Sequence, residues 1–416
     1  MDSRRGGPAT GTSVVSTAPV TRCEELVVVI PAHNEEDALG GTLVALERQA
    51  LAPGHVVVVA DNCDDDTGQV ALRHGVQVIA TEANRDRKAG ALNQALGRLA
   101  ARRPTYVLVL DADTRLAPDF VAKAIATLES DSRIGAVSGL FVGDRPRSLL
   151  EQLQANEYAR YRTQILTTGR VAVVTGTASV FRFEALCEVA ARRGSLLPGT
   201  LGDVYDRSAI TEDSELTLAL RALGWRLASR PECECTTELM PTWGDLHHQR
   251  VRWYKGMLDN LRSYGLSRVT APYVAQQLMI GVGIVTIALL TLLTAAAVAS
   301  GTFAVQAFWL AVASVFVVNR IVTVWSVGPR GRLIALAVLP EIGYDTALQV
   351  AFVRAALRAL TRRDVTWNHV ALARDRPAAD QPPRPAGALC PGSARGSHPG
   401  IRYDARDRAG RTRCTS

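Results

Sequence analysis

The sequence predicts a doubly wound α/β domain with a mostly parallel sheet, followed by C-terminal membrane helices. Short apolar runs rich in β-branched residues alternate with amphipathic stretches between residues 24 and 135. Strands buried on both faces of a parallel sheet read as such unbroken runs. A nearly charge-free stretch then occupies residues 278–327, while both ends of the chain are polar. The chain has 416 residues, 47% hydrophobic and 21% charged, which excludes a wholly disordered polypeptide.

Residues 1–22 are rich in Gly, Ser, Thr and Pro and lack the apolar core of a secretory signal. They are expected to be a disordered tail that stays on the cytosolic side. Four strands follow at Leu26–Ile30, Val56–Ala60, Val76–Ala80 and Tyr106–Leu110. Amphipathic helices at Glu35–Gln49, Thr67–His74, Lys88–Arg102 and Pro118–Leu128 fill the crossovers. In this architecture ligands bind beyond the carboxyl ends of the strands. A polar helix at Ser148–Thr167, a strand near Val171–Phe181 and a helix from Asp213 ending at Gly224 extend the domain, which is taken to run over residues 23–265.

Two membrane spans are expected within residues 273–327. Met279–Ala299 supplies the ~20 apolar residues that cross a bilayer, and Phe303–Val327 is interrupted only by Asn319 and Arg320. Residues 333–365 form a third apolar stretch that contains Pro340, Glu341 and Asp345 and ends in Arg354, Arg358, Arg362 and Arg363. A third span would place these arginines outside, against the positive-inside tendency, so an interfacial or re-entrant helix is favoured over a third membrane helix. Residues 371–416, rich in Pro and Arg, are expected to be a disordered basic tail. That tail holds nine arginines against four aspartates, so most of the net charge of +7 belongs to it. The body carries no basic stripe interleaved with aromatics, which excludes a nucleic-acid partner. Seven scattered cysteines make no disulfide framework and suit a reducing compartment.

Chemistry concentrates at the predicted strand ends. Asp111 and Asp113 follow the strand Tyr106–Leu110, and two hard oxygen donors there suit Mg²⁺ or Mn²⁺ bridging a diphosphate. The ordinary structural role of such a pair is a turn before a helix. Asp61 ends the second strand, where a carboxylate accepts hydrogen bonds from a ribose or base or else starts a turn. Lys88 opens a helix, a place the helix dipole makes unfavourable for a cation, and so points to an anionic partner that Arg85 and Arg87 would share. Asp213 precedes the helical period Leu216, Leu218, Leu220, Leu223, where it serves either as a first-turn residue or as a base. Gln249, Arg252 and Trp253 share a helical face, which suits phosphate pairing and sugar stacking as well as a surface near lipid headgroups. Cys233 and Cys235 with His247 and His248 miss the usual zinc-ligand spacings. Walker-type phosphate loops and a nucleophile elbow are absent.

Taken in order, Ile30-Pro31-Ala32-His33-Asn34-Glu35-Glu36, Asp61, Lys88–Asn93, Asp111-Ala112-Asp113, Gly176-Thr177-Ala178, Ile210-Thr211-Glu212-Asp213 and Gln249-Arg250-Val251-Arg252-Trp253 resemble the signatures of family 2 glycosyltransferases. The resemblance covers roughly residues 24–265 and is nearest to membrane synthases of cellulose, chitin, hyaluronan and poly-N-acetylglucosamine. It implies the GT-A fold, a UDP-sugar donor, Mg²⁺ or Mn²⁺, and a multi-pass protein of the cell membrane with its catalytic domain in the cytoplasm. Pro31, His33, Glu35 and Asp61 would line the nucleotide pocket, with His33 where the family more often has Tyr. Asp111 and Asp113 would hold the metal and diphosphate, Lys88 would neutralise phosphate, and Asp213 would be the base of an inverting transfer. Glu212, Gln249, Arg252 and Trp253 would hold the acceptor and diphosphate.

The acceptor is expected to be a glycan or a lipid-linked molecule. Two or three helices do not enclose a polar glycan in hydrocarbon, so secretion through a channel would require a homo-oligomer or a membrane partner. The alternatives are a transferase moving a single sugar onto a polyprenyl phosphate, for which the Gln249–Trp253 motif is unexpected, and a non-catalytic membrane-anchored binding protein.

Overall fold

The computed structural model describes residues 25–361, apart from 50 and 52. The expected tails at 1–22 and 371–416, and Arg362 and Arg363, lie outside the described residues. Strands β1 (Leu26–Ala32), β2 (Val56–Ala60), β3 (Gln77–Ala80) and β4 (Tyr106–Leu110) stand within two residues of their predicted bounds. They are followed by β5 (Arg115–Leu116), β6 (Ile134–Ser138), β7 (Leu140–Gly143), β8 (Ala178–Arg182), β9 (Arg226–Ala228) and β10 (Glu234–Thr237). The main sheet runs β3-β2-β1-β4-β8-β6-β9, with β8 antiparallel to both its neighbours and every other pairing parallel. A small second sheet, β5-β10-β7, stands beside it.

The helices of the domain are α1 (Leu39–Glu47), α2 (Thr67–Arg73), α3 (Arg87–Leu99), α4 (Phe120–Ser130), α5 (Leu149–Thr168), α6 (Phe183–Arg192), α7 (Glu212–Ala222) and α8 (Trp243–Tyr264). Because side chains alternate across a strand, Leu26, Val28 and Ile30 join α1 and α4 in one core while Val27 and Val29 join α3, α6 and α7 in another. Helix α1 starts four residues later than its periodicity suggests. The backbone N–H groups of Glu35 and Glu36 are instead given to Thr67 Oγ1 (2.8 Å) and Asp65 Oδ2 (3.1 Å). The strand expected over Val171–Phe181 forms only from Ala178, for a reason that belongs to the site and is given below.

Four helices complete the chain: α9 (Ala271–Ala299), α10 (Ala307–Thr323), α11 (Pro329–Ala337) and α12 (Leu339–Leu360). Among the described residues α9 is the one unbroken helix long and apolar enough to cross a bilayer, with a mean hydropathy of 2.4, and the pair α11–α12 is so only when taken together as a broken span or re-entrant loop. The predicted second span is divided. Helix α10 has 17 residues, ~25 Å at 1.5 Å per residue against a hydrocarbon core of ~30 Å, and Arg320 near its end turns to Glu341 and Asp345. Helices α11 and α12 meet at 80°. The bend falls at Val338, a β-branched residue at φ 59°, with Pro340 in the first turn that follows. Helix α12 packs along α8 through Val251, Ala351 and Ala355, and Tyr254 meets Phe352 edge to face at 5.3 Å. Buried Glu341 accepts hydrogen bonds from Arg160 (2.5 Å), Arg320 (2.5 Å) and Asn156 (3.0 Å).

Candidate active site

The sheet order places β1 and β4 side by side with β2 beyond β1, so the carboxyl ends of three parallel strands share one edge. Asp61 leaves β2 and Asp111 leaves β4 on that edge. Asp61 is buried, and its Oδ1 accepts from Thr81 Oγ1 (2.8 Å), Asn84 Nδ2 (2.8 Å) and Asn62 Nδ2 (3.0 Å). Its carbonyl accepts from His33 Nδ1 at 2.6 Å, which ties the two loops after β1 and β2 together. Pro31 lies in β1, paired with Val59.

Lys88, at the first turn of α3, is the centre of the arrangement. Its Nζ stands 2.6 Å from Asp111 Oδ1, 3.0 Å from Glu212 Oε1 and 3.2 Å from the Gly176 carbonyl. Asp213, beside Glu212 in the first turn of α7, accepts from the Gly176 N–H at 3.2 Å and from the Ser214 N–H at 2.7 Å. Both backbone groups of Gly176 are therefore consumed by Lys88 and Asp213, which is why residues 171–177 form a loop and not a strand. A Cβ at 176 would lie 3.2 Å from Asp213 Oδ2 and 3.4 Å from Lys88 Nζ, so a side chain there would crowd both. Asp111, Lys88, Glu212 and Asp213, from three distant stretches, meet around this one glycine.

The electrostatics follow from that crowding. Burial opposes the charge on Lys88, but Asp111 and Glu212 outweigh it and raise the ammonium above its ordinary range. Burial would raise Glu212, yet Lys88 holds it below the usual carboxylate value. Asp213 is pushed up to about 6 by burial and then by the charge of Glu212. Asp111 also rises to about 6, because burial and repulsion from Asp113 prevail over Lys88. Burial raises Asp113 as well. Glu35 reaches about 7 through burial and then repulsion from Asp113, Glu238 and Asp111.

The chain matches the family described as glycosyltransferase like family 2 over residues 24–256, more than half its length. It belongs to that family. Poly-beta-1,6-N-acetyl-D-glucosamine synthase of Staphylococcus aureus is 27% identical over 245 residues, 57% of this chain and 55% of that protein. The Staphylococcus epidermidis protein of the same name is 26% identical over 242 residues, 56% and 54% of the two chains. The chain thus spans about half the length of the curated relatives it matches. The mannosyltransferase PcManGT from Pyrobaculum calidifontis, solved with GDP-Man and Mn²⁺, superposes with a TM-score of 0.52 at 20% identity, covering 82% of this chain and 88% of that one. That likeness shows a shared GT-A fold.

The remaining motif residues of this glycosyltransferase lie on α8. Helix α8 is bound to the start of α7 by Asn260, whose Nδ2 donates to Ser214 Oγ at 2.9 Å, and by Gly256, which packs against Thr211. Arg252 lies close enough to Glu212 to help hold its charge. Gln249 and Trp253 both meet Arg250, which the helical-face argument left out: Arg250 Nη1 donates to Gln249 Oε1 at 2.8 Å and its guanidinium lies 4.2 Å from the Trp253 ring centre.

Three further contributors escaped the sequence reading. Glu238, at the end of β10, joins the acidic group because the second sheet brings β10 to this edge. Buried Tyr205 lines the cavity with Lys88 and Asp213, and Asn93 fixes its backbone through three hydrogen bonds of 2.8–3.0 Å to residues 204 and 205. Glu157 of α5 holds Arg250 at 2.7 Å. Asn93 belonged to a recognised motif, and nothing local marks Glu238, Tyr205 or Glu157. Cys233 and Cys235 are buried in the sheet core, whereas His247 pairs with Arg354 on α12. Among the described residues no three His, Cys, Asp or Glu side chains are gathered to hold a metal by themselves.

Proposed function

We propose that this chain is a membrane-anchored, inverting glycosyltransferase that moves a sugar from a UDP donor to an acceptor hydroxyl on a glycan or lipid-linked molecule. N-acetylglucosamine is the first sugar to test, given the relatives above. The meeting of Asp213, Glu212, Lys88 and Asp111 around Gly176 carries this reading. It supplies a carboxylate for proton removal and a fixed cation for a departing diphosphate within one pocket.

In the proposed step the acceptor oxygen forms a bond to C1 of the donor sugar from the face opposite the leaving group. The bond from C1 to the β-phosphate oxygen breaks with its electron pair on UDP, and the hydroxyl proton passes to Asp213. Configuration at C1 inverts. With its carboxyl at about 6, Asp213 is ionised at neutral pH and still basic enough to accept a proton. Pro31, His33, Glu35 and Asp61 would line the nucleotide site, and Gln249, Arg252 and Trp253 the acceptor side.

Asp111 and Asp113 would hold Mg²⁺ or Mn²⁺. The donor set fits in chemistry: Asp111 and Asp113 offer two hard carboxylate oxygens on one loop, raised first by burial and then by neighbouring carboxylates. When bound, such an ion supplies charge neutralisation at the diphosphate. Helix α9 would be the anchor.

The test is transfer from a panel of UDP-sugars by the full chain, with Asp213→Asn as comparison. Loss of about 10²- to 10⁴-fold in transfer with donor binding retained is expected. An Asp213→Asn protein that transfers within a few-fold of wild type removes the assigned base, and a product of retained configuration removes the single displacement.

A further inference from the structure

The residue between the motif positions of α8 is built into the protein more firmly than the motif residues themselves. Arg250 is 2% exposed, and its planar guanidinium is used on three sides. One arm, Nη2, binds Glu157 Oε2 at 2.7 Å; the other, Nη1, binds Gln249 Oε1 at 2.8 Å; the flat face covers the Trp253 ring at 4.2 Å. A single side chain thus fixes two of the three groups assigned to the acceptor side. Only a planar fork does this, because a lysine ammonium has no face to stack and no two divergent arms.

Glu157 is in turn fixed from elsewhere. It is 6% exposed and accepts from Tyr161 Oη at 2.7 Å and from Tyr344 Oη at 2.5 Å. Tyr344 is 1% exposed and belongs to α12, beyond the 24–256 stretch that matches the family. The same two elements are joined one residue away by Asn156 and one turn away by Arg160, both bonded to Glu341. A buried carboxylate that keeps one acceptor oxygen for an arginine and a tyrosine together has little freedom to move.

We infer that Arg250, Glu157 and Tyr344 are positioning residues, a relay through which helix α12 sets the orientation of Gln249 and Trp253 for the acceptor. The inference rests on the acceptor role proposed above for those two residues. It makes the C-terminal helix part of the acceptor site although none of its residues is assigned to touch the acceptor.

Tyr344→Phe is the mildest cut, since it removes one hydroxyl and keeps the ring. In full-length protein in detergent micelles, with N-acetylglucosamine oligomers as acceptor probe and UDP-N-acetylglucosamine as donor, acceptor KM should rise about fivefold. UDP release without acceptor should stay unchanged. Arg250→Lys should raise acceptor KM further. Equal falls in transfer and UDP release with a lowered melting temperature would indicate a merely structural role and overturn the inference. So would an unchanged acceptor KM in both variants. A second readout does not depend on the sugar: in protein labelled with 5-fluorotryptophan, the ¹⁹F resonance assigned to Trp253 through Trp253→Phe should shift in Tyr344→Phe and Arg250→Lys. If wild type ignores this donor, the sugar assignment fails while the resonance still decides the relay, and an unmoved resonance overturns it.

Discussion

Replacing Lys88 with Met removes the cation on which the carboxylate group around Gly176 is balanced. Lys88 Nζ is 2.6 Å from Asp111 and 3.0 Å from Glu212, and its charge also opposes the rise of the Asp213 carboxyl. Two unit charges about 4 Å apart interact by about 4 kcal/mol at an effective permittivity of about 20. If a third of that is felt at Asp213, the loss is about 1.4 kcal/mol, or about one pH unit. The proposed base role sets the sign: Asp213 acts when ionised, so activity should be present above about 6 and lost as pH falls through that value. In Lys88→Met the acidic limb of kcat/KM against pH should therefore move upward by about one unit or more. The rate above the limb should drop about 10²-fold from loss of the charge facing the diphosphate. Lys88→Arg retains a charge and should keep its limb near the wild-type position. The assay is UDP release from pH 5 to pH 9. A limb in Lys88→Met that coincides with wild type would refute the claim that Lys88 sets the ionisation of the proposed base.

Two further outcomes follow from the same geometry. Glu35→Gln should stabilise the protein at pH 8 by about 1–3 kcal/mol and leave it unchanged near pH 4, because burial lifts the folded carboxyl from its ordinary 4.5 to about 7 and the cost of ionising it on folding grows across that window. Melting curves at the two pH values check this, and a Gln variant less stable than wild type at pH 8 contradicts it. Gly256→Ala should cost about 1–3 kcal/mol and depress transfer, since the added Cβ would meet Thr211 Oγ1 at 2.3 Å and push α8 from the loop that carries Glu212 and Asp213. Unaltered stability and transfer in that variant would show that α8 need not sit tightly there.

Much of the main sheet was legible because its strands are doubly buried. Val56–Ala60 and Tyr106–Leu110 begin and end where their apolar runs do, since burial on both faces demands an unbroken run. The helix expected at Ser148–Thr167 forms over Leu149–Thr168, and the structure shows what bounds it: Ser148 and Glu151 form a capping box and Gly169 takes a left-handed conformation. Errors fell where backbone groups are claimed by distant side chains. Residues 171–177 read as strand by composition, but Gly176 gives its N–H to Asp213 and its carbonyl to Lys88 and so leaves the sheet before Ala178. The predicted span at 303–327 holds the 17-residue helix α10, whose Arg320 is bonded to Glu341 and Asp345 of α12, partners that hydropathy along one segment does not register.

By itself the sequence placed Asp61 and Asp111 at strand ends and Lys88 and Asp213 at helix starts, because alternation and helical period are local properties of the chain. Only the tertiary structure decided that Lys88, Asp111, Glu212 and Asp213 meet at one glycine, that Glu238 joins them, and that Arg250, a neighbour of the motif residues, is anchored by Glu157 and Tyr344. These pairings join residues separated by 23 to 187 positions, and a charge buried at such a distance from its partner leaves no periodic trace. Its cost is met by a group that folding brings to it, so the pairing becomes visible only when both ends are in place.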